Sequence, residues 1–210
     1  MISEELERYI IQYSSPQSDV LKALERRTYL STLFPRMLSG HIQGKFLEML
    51  SFMLAPQYIL EIGTFTGYSA ICLAQGLVPE GKLISIEANR ELRSTALEAF
   101  VKAGMADKIE LIIGRAEHEI PALNKVFDLV FIDADKENYC LYFDLVFDKV
   151  RKGGFILADN VLWSQKVLNP SNRDAETSGI VAFNKKVAAD DRVEQLILPL
   201  RDGITLIRKK

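Results

Sequence analysis

Three oxygen side chains and one amine fall at the ends of two apolar runs in the second half of the chain. Phe131–Ile132 leads into Asp133, Ala134, Asp135 and Lys136, and Leu157–Ala158 leads into Asp159 and Asn160. Two carboxylates and a carboxamide, with no histidine or thiolate among them, suit a hard cation and leave coordination positions open for water or substrate. Mg2+ is the default occupant, with Mn2+ or Ca2+ as the alternatives. Lys136 lies three residues beyond Asp133, close enough to face the same opening. A cation beside it would depress its pKa from the ordinary ~10.4, which makes it a candidate general base. The chemistry implied is acidification of one hydroxyl of a cation-bound vicinal diol, with Lys136 taking the proton. A plainer reading stands beside it, with Asp133 and Asp159 as helix N-caps and Lys136 as a solvated surface lysine. Asp135 or Asn138 can cap the turn after the first run, which leaves Asp133 without so simple a task.

A second group of residues suits a nucleoside. Glu61–Ile62–Gly63–Thr64–Phe65–Thr66–Gly67–Tyr68–Ser69 joins another apolar run to a helical pattern. Gly63 and Gly67 permit a tight turn and close approach of a ligand to the backbone. A dinucleotide fingerprint needs glycine where Phe65 stands, and that ring would obstruct a diphosphate. An acid just before a GxxxG turn instead suits a nucleoside without a diphosphate, such as S-adenosylmethionine. Glu61 would then meet the ligand's ammonium group, and Ser69 its carboxylate near the helix N-terminus. Another run ends in Glu87–Ala88, where a carboxylate can accept from both ribose hydroxyls. A further one ends in Gly114–Arg115–Ala116–Glu117, small enough in part to flank an adenine. Taken singly, each of these also reads as an ordinary turn with a surface acid.

The elements that must position these groups follow from periodicity. Tyr58–Ile62, Lys82–Ile86, Ile109–Ile113, Phe127–Ile132 and Gly154–Ala158 are short apolar runs separated by helical patterns. Such runs suit parallel strands covered on both faces, joined by right-handed crossovers. Ligands of such sheets bind outside the carboxyl ends of the strands, where all the residues above fall. Val193–Pro199 and Ile204–Ile207 flank Asp202–Gly203 and predict an antiparallel pair. Three helices precede the sheet. Leu6, Tyr9, Ile10 and Tyr13 share one face, Val20, Leu21 and Leu24 follow the Ser15–Pro16 break, and Gln43–Leu54 turns Phe46, Leu47, Leu50 and Leu54 inward. The expected class is α/β in a single domain, residues 1–210, with 1–55 as added helices and 56–210 as the sheet core.

With 210 residues the chain can bury one sizeable core. Its 26 basic and 28 acidic residues give a net charge of −2, which predicts neither a nucleic-acid nor a membrane-surface partner. No apolar stretch approaches the roughly 18 residues of a membrane span, and Met1–Glu5 does not resemble a signal peptide. Cys72 and Cys140 lack CxxC spacing and read as buried inert thiols in a cytoplasmic protein. His41 and His118 read as solvated or capping residues. Trp163 suits either an aromatic wall of a substrate pocket or a core position. The polar segment Ser164–Thr177, with Arg173, is expected to lie over the pocket and read substrate substituents.

Four blocks resemble the cation-dependent O-methyltransferases, the catechol and caffeoyl-CoA O-methyltransferase family, and look closest to its bacterial members. They are Leu60–Ser69, Phe131–Tyr139, Gly153–Trp163 and Leu198–Gly203, in family order. The resemblance runs from Met37 to the C-terminus. It implies a Rossmann-like methyltransferase fold, a mostly parallel seven-stranded sheet with an antiparallel C-terminal strand. It implies S-adenosylmethionine contacts at Glu61, Gly63, Gly67, Tyr68, Ser69, Glu87, Ala88, Gly114, Arg115 and Ala116. Met37 and Ser39 match the segment that covers the cofactor. The family's metal ligands fall on Asp133, Asp159 and Asn160, with Asp133 also near the methyl donor, and its base falls on Lys136. Substrate contacts are expected at Lys136, Asn160, Trp163 and Arg173, and the N-terminal helices imply a homodimer. Pro199 and Leu200 stand near where the catechol branch has an acidic substrate contact, so regiochemistry is not implied. The implied substrate is a phenolic small molecule. The alternative is a tRNA 5-hydroxyuridine O-methyltransferase, against which Lys166 and Arg173, balanced by Asp174 and Glu176, provide no basic track.

Overall fold

The computed structural model describes residues 3–169, 171 and 174–210. Three helices come first, α1 (Glu4–Gln12), α2 (Asp19–Ser31) and α3 (Gly40–Leu54). Ser3 and Ser18 open the first two, each side chain accepting from a backbone amide three residues on. Strands and helices then alternate as β1 (Tyr58–Ile62), α4 (Tyr68–Ala74), β2 (Lys82–Glu87), α5 (Arg93–Lys102) and β3 (Ile109–Ile113). Next come α6 (Ala116–Ala122), β4 (Phe127–Ile132), α7 (Tyr139–Phe147), β5 (Val150–Asp159) and α8 (Ala175–Ala188). The chain closes with β6 (Val193–Leu198) and β7 (Ile204–Lys209).

The seven strands form one sheet in the order β3-β2-β1-β4-β5-β7-β6. β1 to β5 pair in parallel, and β7 inserts antiparallel between β5 and β6. This is the α/β sheet with an antiparallel C-terminal strand that the pattern predicts. Alternate residues of the central strands serve opposite faces, as the strand period requires. Leu60, Val130 and Ile132 join Phe143 and Phe183 in one core, on the face of α6, α7 and α8. Ile59, Leu129 and Phe131 join Leu47 and Phe100 in the other, under α3, α4 and α5. Each fully buried side chain of this kind contributes about 1.5–3 kcal/mol.

Several boundaries differ from the sequence pattern by one to four residues, two of them for clear local reasons. β5 starts at Val150 rather than Gly154, because the polar Arg151–Lys152–Gly153 stretch continues the strand through an irregularity. The β4–β5 register shifts between Phe127 and Leu129, where β5 runs from Val150 to Phe155 and so carries three extra residues, and Gly153 within that stretch takes a φ of 74°. β6 stops at Leu198, before Pro199, which has no amide to donate. No helix among the described residues is long and apolar enough to cross a membrane.

Candidate active site

A cleft of about 1430 Å³ lies over the carboxyl ends of the parallel strands. It is larger than the roughly 300–1,000 Å³ of a typical small-ligand pocket, room enough for two ligands side by side. One end is built mainly from backbone. Gly63 lines it with a φ of 99°, and a Cβ there would overlap the Asp133 carbonyl, so only glycine lets the ends of β1 and β4 meet this closely. Asp133 N donates to the Ile62 carbonyl at 2.9 Å, fixing that meeting point. Glu87, at the end of β2, is buried and holds the glycine turn by its own carboxylate. Its Oε2 accepts from Phe65 N at 2.7 Å and Thr64 N at 3.2 Å, and its Oε1 from Asn89 N at 2.8 Å. Ala88, Gly114, Arg115 and Ala116 line the same end, with Met37 and Ser39 from the segment before α3.

Two residues of the glycine turn sit elsewhere. Gly67 (φ 93°) does not line the cleft; a Cβ there would come within 2.6 Å of the Phe100 ring, so its constraint is packing. Glu61 is wholly buried behind the wall, where Ser85 donates to its Oε2 and its Oε1 has no hydrogen-bond partner among the described residues. Burial pushes its carboxyl up to about 8, against the nearby Ser69 and Ser85 hydroxyls. Ser69 itself is on the cleft wall, between Glu61 and the open space. Tyr68 also reaches the wall, its ring beneath α3, where a Cβ on Gly44 would lie 2.6 Å from it. Burial holds the Tyr68 hydroxyl well above its ordinary pKa, and that hydroxyl is unpartnered among the described residues. An orphaned hydroxyl, an orphaned carboxylate oxygen and a glycine turn with Phe65 where a diphosphate would need glycine fit a polar nucleoside ligand without a diphosphate, such as S-adenosylmethionine.

The other end is built from side chains. Asp133, Lys136, Asp159, Asn160 and Trp163 all line it, so the structure brings the sequence candidates to one place. Lys136 is buried rather than solvated, in the tight turn Lys136–Asn138 that precedes α7. Its Nζ donates to Asp133 Oδ1 at 2.9 Å and to the Tyr139 hydroxyl at 2.7 Å. Burial alone would pull this lysine down, but Asp133 and then Tyr139 outweigh burial and hold the ammonium above its ordinary value. The expected depression is therefore opposed by the ion pair with Asp133. Asp159 is not a helix cap: its Oδ1 accepts from Asn160 N at 2.8 Å and its Oδ2 from Gln43 Nε2 at 2.5 Å. Burial, then repulsion from Asp133, push its carboxyl well above the usual carboxylate range. The Asn160 carboxamide makes no hydrogen bond within the described residues, and its backbone is left-handed (φ 59°). Two mutually repelling carboxylates beside a free carboxamide oxygen fit a hard divalent cation, which would relieve the repulsion. Among the described residues no group of three or more His, Cys, Asp and Glu is placed to hold a metal, so a cation would rest on these two acids and the amide.

The sequence pattern did not reveal Gln43, Arg201 or Tyr139. Gln43 shares the inward face of α3 with Leu47, Leu50 and Leu54, and a polar residue on an apolar face was the available signal. Arg201, beside the Asp202–Gly203 turn, lines the cleft from far away in sequence, with Nη1 3.1 Å from Gln43 Oε1. Trp163 is half-buried on the wall, with the Lys136 and Lys166 ammonium groups 5.9 and 5.7 Å from its ring centre. Arg173 lies outside the described residues. Of the histidines, His41 Nε2 meets the Ser15 carbonyl at 2.7 Å and neither lines the cleft.

Comparison with known proteins places the chain in a family. The model of a family described as O-methyltransferase matches residues 11–210. The chain belongs to the O-methyltransferase family. A curated relative from Dictyostelium discoideum, named probable caffeoyl-CoA O-methyltransferase 2, is 36% identical over 207 residues, 96% of this chain and 90% of its own. Caffeoyl-CoA O-methyltransferase 1 from Eucalyptus globulus is 37% identical over 181 residues, 80% of this chain and 72% of its own. The O-methyltransferase from Bacillus cereus, solved with S-adenosylhomocysteine, superimposes with a TM-score of 0.92 at 30% identity, covering 98% of this chain and 97% of that one. The protein is an S-adenosylmethionine-dependent O-methyltransferase, and its backbone-built end is the one whose residues fit that cofactor.

Proposed function

We propose that this methyltransferase methylates one hydroxyl of a vicinal-dihydroxy aromatic small molecule, with a divalent cation, Mg2+ by default, held by Asp133, Asp159 and Asn160. The observation that carries the reading is the convergence of those residues with Lys136 and Trp163 on one wall, directly beside the cofactor end. When bound, S-adenosylmethionine supplies an electrophilic methyl group and the cation supplies the Lewis acidity that makes a diol hydroxyl acidic. Lys136 is the group that takes the hydroxyl proton. Asp133 governs when it can, because the same carboxylate that holds the ammonium is the one shared with the cation. Tyr139, donating onward to the Asp159 carbonyl at 3.0 Å, keeps Lys136 in this orientation. Trp163 offers an aromatic face to the ring, and Asn160 a carboxamide to the second hydroxyl. Positioning of two small molecules supplies much of the rate, as neither is held covalently.

The relatives named for caffeoyl-CoA support a vicinal diol, since a caffeoyl ring carries one. Five basic and seven acidic side chains line the cleft, a balance that suits a neutral phenol better than a phosphate backbone. The exposed face of α1 and its end, with Leu6, Tyr9 and Tyr13 and no buried residue in the helix, supports a second copy of the chain as its cover, in a homodimer. The test is methyl transfer from labelled S-adenosylmethionine to 3,4-dihydroxybenzoate, a monophenol and bulk tRNA. Turnover of the diol alone is the expected result. Label in tRNA, or equal turnover of the monophenol, contradicts the substrate class.

A further inference from the structure

The two ends of the cleft are joined by a side-chain relay whose members are far apart in sequence. Arg201 sits in a left-handed conformation (φ 49°), a strained backbone for a residue other than glycine. That backbone sends its guanidinium across the cleft to the segment before α3. Nη1 donates to the Leu38 carbonyl at 3.0 Å, to the Ser39 carbonyl, and to Gln43 Oε1 at 3.1 Å; Nη2 reaches the Arg36 carbonyl at 3.4 Å. Gln43 is wholly buried, and its Nε2 donates to Asp159 Oδ2. A guanidinium has donors only, so it accepts no alternative: Gln43 Oε1 must face Arg201, and the amide nitrogen is thereby turned onto Asp159. One guanidinium therefore holds both the segment that lines the cofactor end, through the Leu38 and Ser39 carbonyls, and the residue that aims Asp159. Nη1 has two hydrogens for three acceptors, so a shift of the segment changes its grip on Gln43.

We propose that Arg201 and Gln43 are positioning residues that couple occupancy of the cofactor end to cation binding at Asp159. The inference rests on the cofactor and cation reading above. Binding of either ligand sets the relay for the other, and the coupling is reciprocal by linkage. Neither residue takes part in proton or methyl transfer.

The test is a thermodynamic cycle on the full chain. S-adenosylhomocysteine affinity is measured by calorimetry with and without Mn2+, and Mn2+ affinity by electron paramagnetic resonance with and without S-adenosylhomocysteine. The expected coupling in the wild-type protein is about tenfold in both directions, within the usual allosteric range. In Arg201→Gly and Gln43→Leu the factor falls to within about twofold of unity, and in Arg201→Lys it is intermediate, since an ammonium lacks the planar fork. Glycine suits the left-handed backbone at position 201, so Arg201→Gly tests the guanidinium even where Gln43→Leu fails to fold. Wild-type coupling retained in Arg201→Gly overturns the relay and leaves the cofactor and cation reading intact. A wild-type protein that binds both ligands independently also overturns the relay. A wild-type protein that binds S-adenosylhomocysteine but no Mn2+ defeats the cation reading, and the relay with it.

Discussion

The cofactor end and the acidic end of one cleft are held by different means. At the cofactor end, Glu87 fastens the amides of Thr64, Phe65 and Asn89, all within 23 residues of it, and the glycine at 63 sits against its neighbouring strand. At the acidic end, Gln43 reaches Asp159 across 116 residues of sequence, and Arg201 reaches Leu38 across 163. Left-handed backbone at residues other than glycine concentrates there too, at Asn160, Trp163, Ser164, Gln165 and Arg201, against Phe65 alone in the glycine turn. The loop after Asn160 is pinned to the last turn, Ser164 N donating to Asp202 Oδ1 at 2.5 Å and Leu162 N to the Asp202 carbonyl at 2.9 Å. The end proposed for the nucleoside is held by local contacts. The end proposed for the cation and substrate is assembled from remote parts with left-handed backbone, the kind of strain that clusters at functional sites.

This contrast can be broken by separating binding from turnover. Lys136→Ala is expected to lower kcat by on the order of 10²–10⁴-fold, the usual yield of a general base, with S-adenosylhomocysteine affinity changed by less than about threefold. Steady-state kinetics beside calorimetry checks both, and parallel loss of affinity would merge the two ends. Glu87→Ala should do the reverse. It removes a charged acceptor from three turn amides and weakens S-adenosylhomocysteine by roughly 10–100-fold, with a smaller effect on kcat at saturation. Gly67→Ala places a methyl group against Phe100 on a backbone that resists it, and urea unfolding should show a loss of about 1–3 kcal/mol.

A pH-dependent effect concerns Glu61. Its carboxyl lies at about 8 in the folded chain against an ordinary 4.5, so folding favours the protonated form. That contribution is full below about pH 4.5 and is lost as pH rises through about 8. Ligand-free protein should therefore lose melting temperature from about pH 5 to about pH 9, and Glu61→Gln should flatten that slope. Equal slopes in the two proteins would mean that Glu61 is ionised throughout and is not shielded behind Ser69.

Legibility in the sequence follows the same division. The strands, their parallel direction and the turn at Gly63 are written in apolar runs and glycine spacing, and the structure has them within a few residues. Asp133, Lys136, Asp159 and Asn160 were visible because strand ends must share one rim of the sheet. What was not visible depends on packing in three dimensions. No spacing rule distinguishes Glu61, behind the wall, from Ser69, on it, or shows that Gly67 answers to Phe100. Arg201 carries no signal at all, since an arginine beside an Asp-Gly turn is an ordinary surface residue until the chain folds back to Gln43.

The central claim is that the acidic end works with a cation on a vicinal diol. Its most direct test is the rate of methyl transfer from labelled S-adenosylmethionine to 3,4-dihydroxybenzoate, before and after EDTA treatment and on return of Mg2+. The account predicts that turnover is abolished by EDTA and restored by Mg2+, while S-adenosylhomocysteine still binds in the chelator, about tenfold more weakly. An unchanged rate in the chelator would contradict it.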